Sequence, residues 1–187
     1  MRLVFLGPPG AGKGTQARRV ADNLSIPAIS TGDIFRSNVS AGTELGVLAK
    51  RYMDAGEYVP DSVTNDMVRA RLAEPDAERG FLLDGYPRTT AQVEVLDAIL
   101  ATSGLTVEAV VEITADADEV VGRLLKRAEI EGRADDTEDV IRRRLEVYAE
   151  QTEPLTSLYG SRGIVHRVDG MGAVDDVTGR ILAALEG

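Results

Sequence analysis

The sequence predicts an α/β fold: one domain whose parallel sheet is covered by helices on both faces. Three features predict it. Short, near-continuously apolar runs alternate with runs of helical period along most of the 187 residues, as in chains whose parallel strands are buried on both faces. A glycine-rich turn with one lysine, Gly7-Pro8-Pro9-Gly10-Ala11-Gly12-Lys13-Gly14-Thr15, joins the first strand-like run to the first helical one. The hydrophobic content of 43% is that of a globular domain, and no stretch approaches the roughly 20 apolar residues of a membrane-spanning helix.

The strand-like runs are residues 3–6, 27–30, 81–84, 107–113 and 163–168. Helical faces lie between them. Ala17, Val20, Ala21 and Leu24 fall at i, i+3, i+4 and i+7. Val93, Leu96 and Leu100 line a second face, with Gly104 as its C-terminal stop. Val120, Val121, Leu124, Leu125 and Ala128 line a third. Val140, Ile141, Leu145 and Tyr148 line a fourth, and Val177, Ile181 and Leu182 a last. Asp61 opens a further helix that Pro75 ends. Two segments break the alternation. Residues 31–59 carry two helical patterns, 32–40 and 43–55, and no strand. Residues 127–139, RAEIEGRADDTED, are charged and poor in apolar side chains. Both read as excursions from the sheet core.

A net charge of −10 argues against a general nucleic-acid surface. Of the 21 basic residues only Lys13, Lys50 and Lys126 are lysine. Arginine's planar fork suits bidentate phosphate contacts; biased genomic base composition would give the same excess. There is no cysteine, hence no disulfide and no thiolate zinc site. The opening apolar run is too short for a signal peptide, so a cytoplasmic protein is expected.

The opening turn keeps G-x-x-x-x-G-K, with Gly14 and then Thr15 after the lysine. Gly10, Ala11, Gly12 and Gly14 belong to a loop whose backbone N–H groups can turn inward on a phosphate. The following helix adds the positive end of its dipole. Lys13 offers a mobile charge for β- and γ-phosphates, and Thr15 a hydroxyl near Mg²⁺. A plain strand-to-helix turn would need no lysine there.

Further motifs narrow the class. They are ISTGDIFR at residues 29–36, FLLDGYPRTTAQ at 81–92, GRADD at 132–136 and RRRL at 142–145. Together with the loop they resemble the adenylate kinases, within the nucleoside monophosphate kinase family, over essentially the whole chain. The resemblance implies a P-loop NTPase-type three-layer fold with a central five-stranded parallel sheet. It also implies a helical insertion for the nucleoside monophosphate at about 30–59 and a lid at about 126–136. Only five residues separate Arg127 from Arg133, so the lid is of the short type, and structural zinc is not expected.

Phosphoryl transfer needs alignment and cancellation of charge more than covalent help, and the sequence offers Lys13, Arg36, Arg88, Arg123, Arg127, Arg133 and Arg144. By resemblance, Arg36 and Arg88 hold the AMP phosphate, and Arg127, Arg133 and Arg144 clamp the transferring group. Arg123 stacks on the ATP adenine, which meets backbone near Gly172. Thr31 and Gln92 address the AMP adenine; related pyrimidine kinases usually have alanine at the place of Thr31. Backbone of Glu57, Tyr58 and Val59 surrounds AMP, where EYV departs from the commoner KLV. Gly85, Tyr86 and Pro87 complete that side. Asp84, at a strand end, and Asp33 orient Mg²⁺ or its waters. Asp135 and Asp136 cap a helix or hinge the lid. Arg142 and Arg143 read as solvated helix face, and His166, the sole histidine, as a structural strand residue.

The expected activity is reversible, Mg²⁺-dependent phosphoryl transfer between ATP and AMP, giving two ADP. The expected protein is a monomer with no membrane or nucleic-acid partner. A UMP or CMP kinase, and a nucleotide switch without turnover, remain as alternatives.

Overall fold

The computed structural model describes residues 1–133 and 137–187, with backbone only for Ala117 and Asp118. Five strands form one parallel sheet: β1 (Arg2–Leu6), β2 (Ala28–Ser30), β3 (Phe81–Asp84), β4 (Ala109–Thr114) and β5 (Val165–Asp169), in the spatial order β2-β3-β1-β4-β5. Strand β1 is central. It pairs Leu3 with Leu82 on one side and with Ala109 on the other.

The near-continuous apolarity of the strands has a direct cause: both faces are covered. Side chains alternate across the sheet, so Leu3, Phe5, Leu82, Val111 and Ile113 face one layer. That layer is α1 (Lys13–Leu24) and α9 (Val174–Glu186), which contribute Ala17, Val20, Val177 and Ile181. Val4, Leu6, Leu83 and Val110 face the other. There α4 (Asp61–Leu72), α5 (Thr90–Ala101) and α8 (Pro154–Gly160) supply Val68, Val93, Leu96, Leu155 and Tyr159. Each fully buried side chain of this kind contributes about 1.5–3 kcal/mol over its exposed state. The result is the three-layer P-loop NTPase architecture.

The two interruptions resolve differently. Between β2 and α4, α2 (Thr31–Ala41) and α3 (Glu44–Asp54) form a helical pair. A small core of its own holds it, built on Phe35, Ala49 and Val59. Ser30 and Thr43 cap the two helices, accepting from the N–H groups of Asp33 and Gly46. The second interruption is less irregular than its composition suggests. Helix α6 (Ala117–Glu131) continues through residues 127–131 before Gly132 turns left-handed. Residues 134–136, with Asp135 and Asp136, lie outside the described residues. Helix α7 (Glu138–Val147) follows and ends in a single wider turn, Tyr148–Thr152.

Helix α5 stops at Ala101, earlier than Gly104 implies; the Gly104 N–H then bonds to Ala101 O in the turn. Helix α8 and a short 3₁₀ turn at Pro75–Ala77 had no sequence expectation.

Candidate active site

All five strands end at the same edge of the sheet, and the crossovers leaving them build one cleft of about 280 Å³. Parallel sheets place ligands there because the helix starts and the loops converge. Strand β1 supplies the loop after Leu6, β2 leads straight into α2, and β3 ends on Asp84-Gly85. Helices α6 and α7 close the far side.

The loop runs over Gly7 to Gly12 and becomes α1 at Lys13. Gly12, with φ of 89°, occupies the helix N-cap position, and no side chain caps α1. The first amides of this helix therefore face the cleft without a side-chain acceptor, which is an anion site by construction. Lys13 Nζ folds back across the loop, donating to Gly7 O at 2.7 Å and Pro8 O at 2.9 Å. An ammonium has three protons, so one remains for a ligand. Burial pushes its pKa down from 10.5 to about 8; the Asp84 carboxylate opposes this, while Arg88 and Arg127 add to it. That pattern also locates the lysine, among cations brought from β3 and α6.

The cleft is lined by eight basic side chains (Lys13, Arg18, Arg36, Arg88, Arg123, Arg127, Arg133 and Arg144) against four acidic ones (Asp33, Glu57, Asp84 and Glu131). In a chain of net charge −10, this local reversal of sign focuses field on a small polyanion. Arg36 donates to Asp33 at 2.6 Å. Burial alone would raise the Asp33 carboxyl, but the bond and charge of Arg36, with Arg18 and Arg133, outweigh it and hold the carboxyl below its ordinary value. Arg123 reaches Glu119 and Met171 Sδ, each at 3.4 Å. Arg133 pairs with Glu131, and Arg144 Nη2 lies 3.4 Å from Met53 O.

At the other end of the cleft Gly85 sits at φ of 83°, and a Cβ there would stand 2.7 Å from Thr31 Oγ1 and 2.9 Å from Arg88 Nη2. Only glycine allows that approach. Thr31 Oγ1 and Arg88 Nε both donate to Gly85 O, at 2.9 and 2.7 Å. Gln92 is fixed on both sides: its Oε1 accepts from the Arg88 N–H, and its Nε2 donates to Asp61 Oδ1, each at 2.7 Å. Asp61 Oδ2 accepts from Thr89 Oγ1.

Of the residues expected at the site, Gly10, Gly12, Gly14, Thr15, Thr31, Glu57, Tyr58, Val59, Gly85, Pro87 and Gln92 line the cleft alongside Asp33, Asp84 and the seven named cations. Three do not. Ala11 is packed in the core beneath the loop. Tyr86 is fully buried, its hydroxyl donating to Asn65 Oδ1. Gly172 lies beyond the wall, next to the Met171 that Arg123 touches. The cleft adds residues that no motif marked: Arg18, Met53, Tyr148 and Thr152. Arg18 alone had a usable signal, four residues past Gly14 on α1, and its Nε bonds Gly14 O. Arg143 stays solvated, its side chain 40% exposed, while its Nε donates to Glu57 Oε1 at 2.6 Å.

Comparison with known proteins decides the family. The adenylate kinase family model matches residues 5–164. The chain belongs to the adenylate kinase family. It is 67% identical to the adenylate kinase of a Nocardioides species, over 100% of this chain and 97% of that one. It is 63% identical to that of Kocuria rhizophila, over 99% and 98%. It is 56% identical to that of Thermobifida fusca, over 100% and 98%. Against these adenylate kinases the match runs end to end, so it takes in both helical excursions and the loop.

Proposed function

We propose that the chain transfers the terminal phosphoryl group of ATP to AMP, giving two ADP and so balancing the adenine nucleotides. The observation that carries this reading is the convergence of eight cations, scattered from Lys13 to Arg144, on one cleft. A phosphoryl group in transfer spreads negative charge over its equatorial oxygens, and fixed cations answer that need. Membership of the adenylate kinase family supports the choice of substrates.

In this reading ATP lies with its phosphates over the uncapped start of α1 and Lys13, and AMP lies at the Gly85 end. Arg36 and Arg88 hold the AMP phosphate. Arg127, Arg133 and Arg144, from α6, the turn after it and α7, close on the group in flight. The stretch at about 30–59, which holds the α2–α3 pair, is the acceptor-binding part, and the stretch at about 126–136 is the lid. Closure excludes water, which would otherwise intercept the phosphoryl group. No general base is required of the protein.

Mg²⁺ fits the donors present. Asp84, Asp33 and Thr15 bring hard oxygens to the phosphate end of the cleft. They are too few for an all-protein cage: among the described residues no cluster of three or more His, Cys, Asp or Glu is placed to hold a metal. That suits an ion that keeps its waters and takes phosphate oxygens as ligands. When bound with ATP, it offsets charge on the β- and γ-phosphates. Asp84 and Asp33 would orient its waters.

The test is an acceptor panel. With Mg²⁺ and ATP, AMP is expected to be converted to ADP far faster than UMP or CMP. No ADP from AMP, or a preference for UMP, would overturn the reading.

A further inference from the structure

The backbone around Glu57 to Val59 was expected to surround AMP, yet it is the side chain of Tyr58 that is engaged in an unforeseen way. Its hydroxyl lies 2.7 Å from Thr152 Oγ1. Thr152 Oγ1 in turn donates to the Arg88 carbonyl at 2.8 Å. A threonine hydroxyl has one proton, so with that proton on Arg88 O the tyrosine is the donor. The relay therefore runs Tyr58 to Thr152 to Arg88. The ring of the same tyrosine faces the other end of Arg88, with the guanidinium carbon 4.9 Å from the ring centroid. Three separate segments meet in this contact: the stretch after α3, the turn after α7 and the loop after β3.

Arg88 is held at two further points, Nε on Gly85 O and the backbone N–H on Gln92 Oε1. The bonds described engage Nε and leave Nη1 and Nη2, the fork that grips a phosphate. An arginine held this way needs less ordering when the ligand arrives. A cation–ring contact also strengthens as water leaves a closing site.

We infer that Tyr58 and Thr152 are positioning residues for Arg88: the ring sets the plane of the guanidinium, the hydroxyl relay fixes its backbone, and the fork meets the acceptor's phosphate already aimed. The assignment deepens the function proposed above and rests on its placing AMP phosphate at Arg88. It separates Tyr58 from a mere wall of the base pocket, because the effect runs through the phosphate.

The experiment uses the full chain with Tyr58→Leu, Tyr58→Phe and Thr152→Val. It measures kcat, KM for AMP, KM for ATP, and equilibrium binding of AMP and of adenosine, which lacks the phosphate. Tyr58→Leu is expected to raise KM for AMP roughly tenfold while KM for ATP stays within about twofold. AMP binding should weaken by a similar factor and adenosine binding should hold. Tyr58→Phe keeps the ring and is expected to lose only about threefold; Thr152→Val should match it. The double variant Tyr58→Phe/Thr152→Val should be no worse than either single change, since each breaks one relay. Equal weakening of AMP and adenosine, or no change in AMP binding by Tyr58→Leu, would overturn the inference while the parent protein remained active. A parent that forms no ADP from ATP and AMP would instead overturn the function on which it rests. Tyr58→Phe and Thr152→Val change few atoms, and their comparison decides the relay if Tyr58→Leu folds poorly.

Discussion

In the phosphate loop Lys13 bonds to Gly7 O and Pro8 O, six and five residues away. Around Arg88 the partners are Gly85, Gln92, Thr152 and Tyr58, drawn from three crossovers of the sheet. The first region is built by its own sequence: glycines that turn, a helix that starts uncapped, a lysine that folds back. The second is built by the whole fold. The two are therefore vulnerable in different ways. The loop fails by losing a single charge or a single turn, whereas the acceptor end fails by degrees, as one brace after another goes.

The largest effect is expected from Lys13→Met, which removes the loop's one charge; kcat should fall on the order of 10²–10³-fold or more with the melting temperature nearly kept, as followed by ADP formation and thermal denaturation. Gly85→Ala comes next. It forces a side chain to φ of 83° and into Thr31 Oγ1. Strain of about 1–3 kcal/mol predicts roughly a ten- to hundredfold loss in kcat/KM for AMP. An unchanged value would mean that the acceptor loop is softer than its bonds imply.

The third effect is one of pH. Lys13 in the free protein titrates near 8, and nucleotide phosphates favour its charged form. ATP binding should therefore take up protons between pH 8 and 9. Its kcat/KM should fall by up to about tenfold per unit above pH 8, while kcat at saturating ATP falls less. Stability moves the other way. The unfolded chain keeps this proton to about 10.5, so the lysine's contribution to stability rises with pH between 8 and 10.5. Calorimetry in buffers of different ionisation enthalpy measures the uptake. A smaller effect is expected at the Glu57–Arg143 pair, 38% and 40% exposed. An ion pair of that exposure is screened by solvent and contributes little. Glu57→Gln should raise KM for AMP by a few-fold at low salt and by less at high salt. Arg142→Ala, on a 63% exposed side chain paired only with Glu138 among the described residues, should do nothing measurable.

Legibility in the sequence follows the same division. Strand β3 was readable to the residue because Phe81-Leu82-Leu83 is apolar and Asp84-Gly85 stops it. Strand β4 begins later than its apolar run, since Val107 is buried but precedes the ladder. Helix α8 was hidden: Pro154, Ser157 and Gly160 read as loop, and only the burial of Leu155 and Tyr159, one turn apart, makes the segment helical. In the site, the loop, Arg36, Arg88, Arg133 and Arg144 stand in motifs whose chemistry is local. Thr152 and Asp61 stand in none, because each acts through a partner tens of residues away. A lone threonine carries no mark of the backbone carbonyl it will find.

The sheet order has a consequence for how the molecule comes into being. Strand β1 is the first made and the innermost, yet Arg2 finds its neighbour at Phe81 and Leu3 its other neighbour at Ala109. On the ribosome the opening segment must wait for residues 81–84 before one side of it can be zipped and for residues 109–114 before the other. Until then its apolar face and the glycine turn behind it are exposed to whatever else the cell contains. A nascent chain halted before β4 should be bound by chaperones and digested readily by protease, and ATP should protect it only once that strand has emerged.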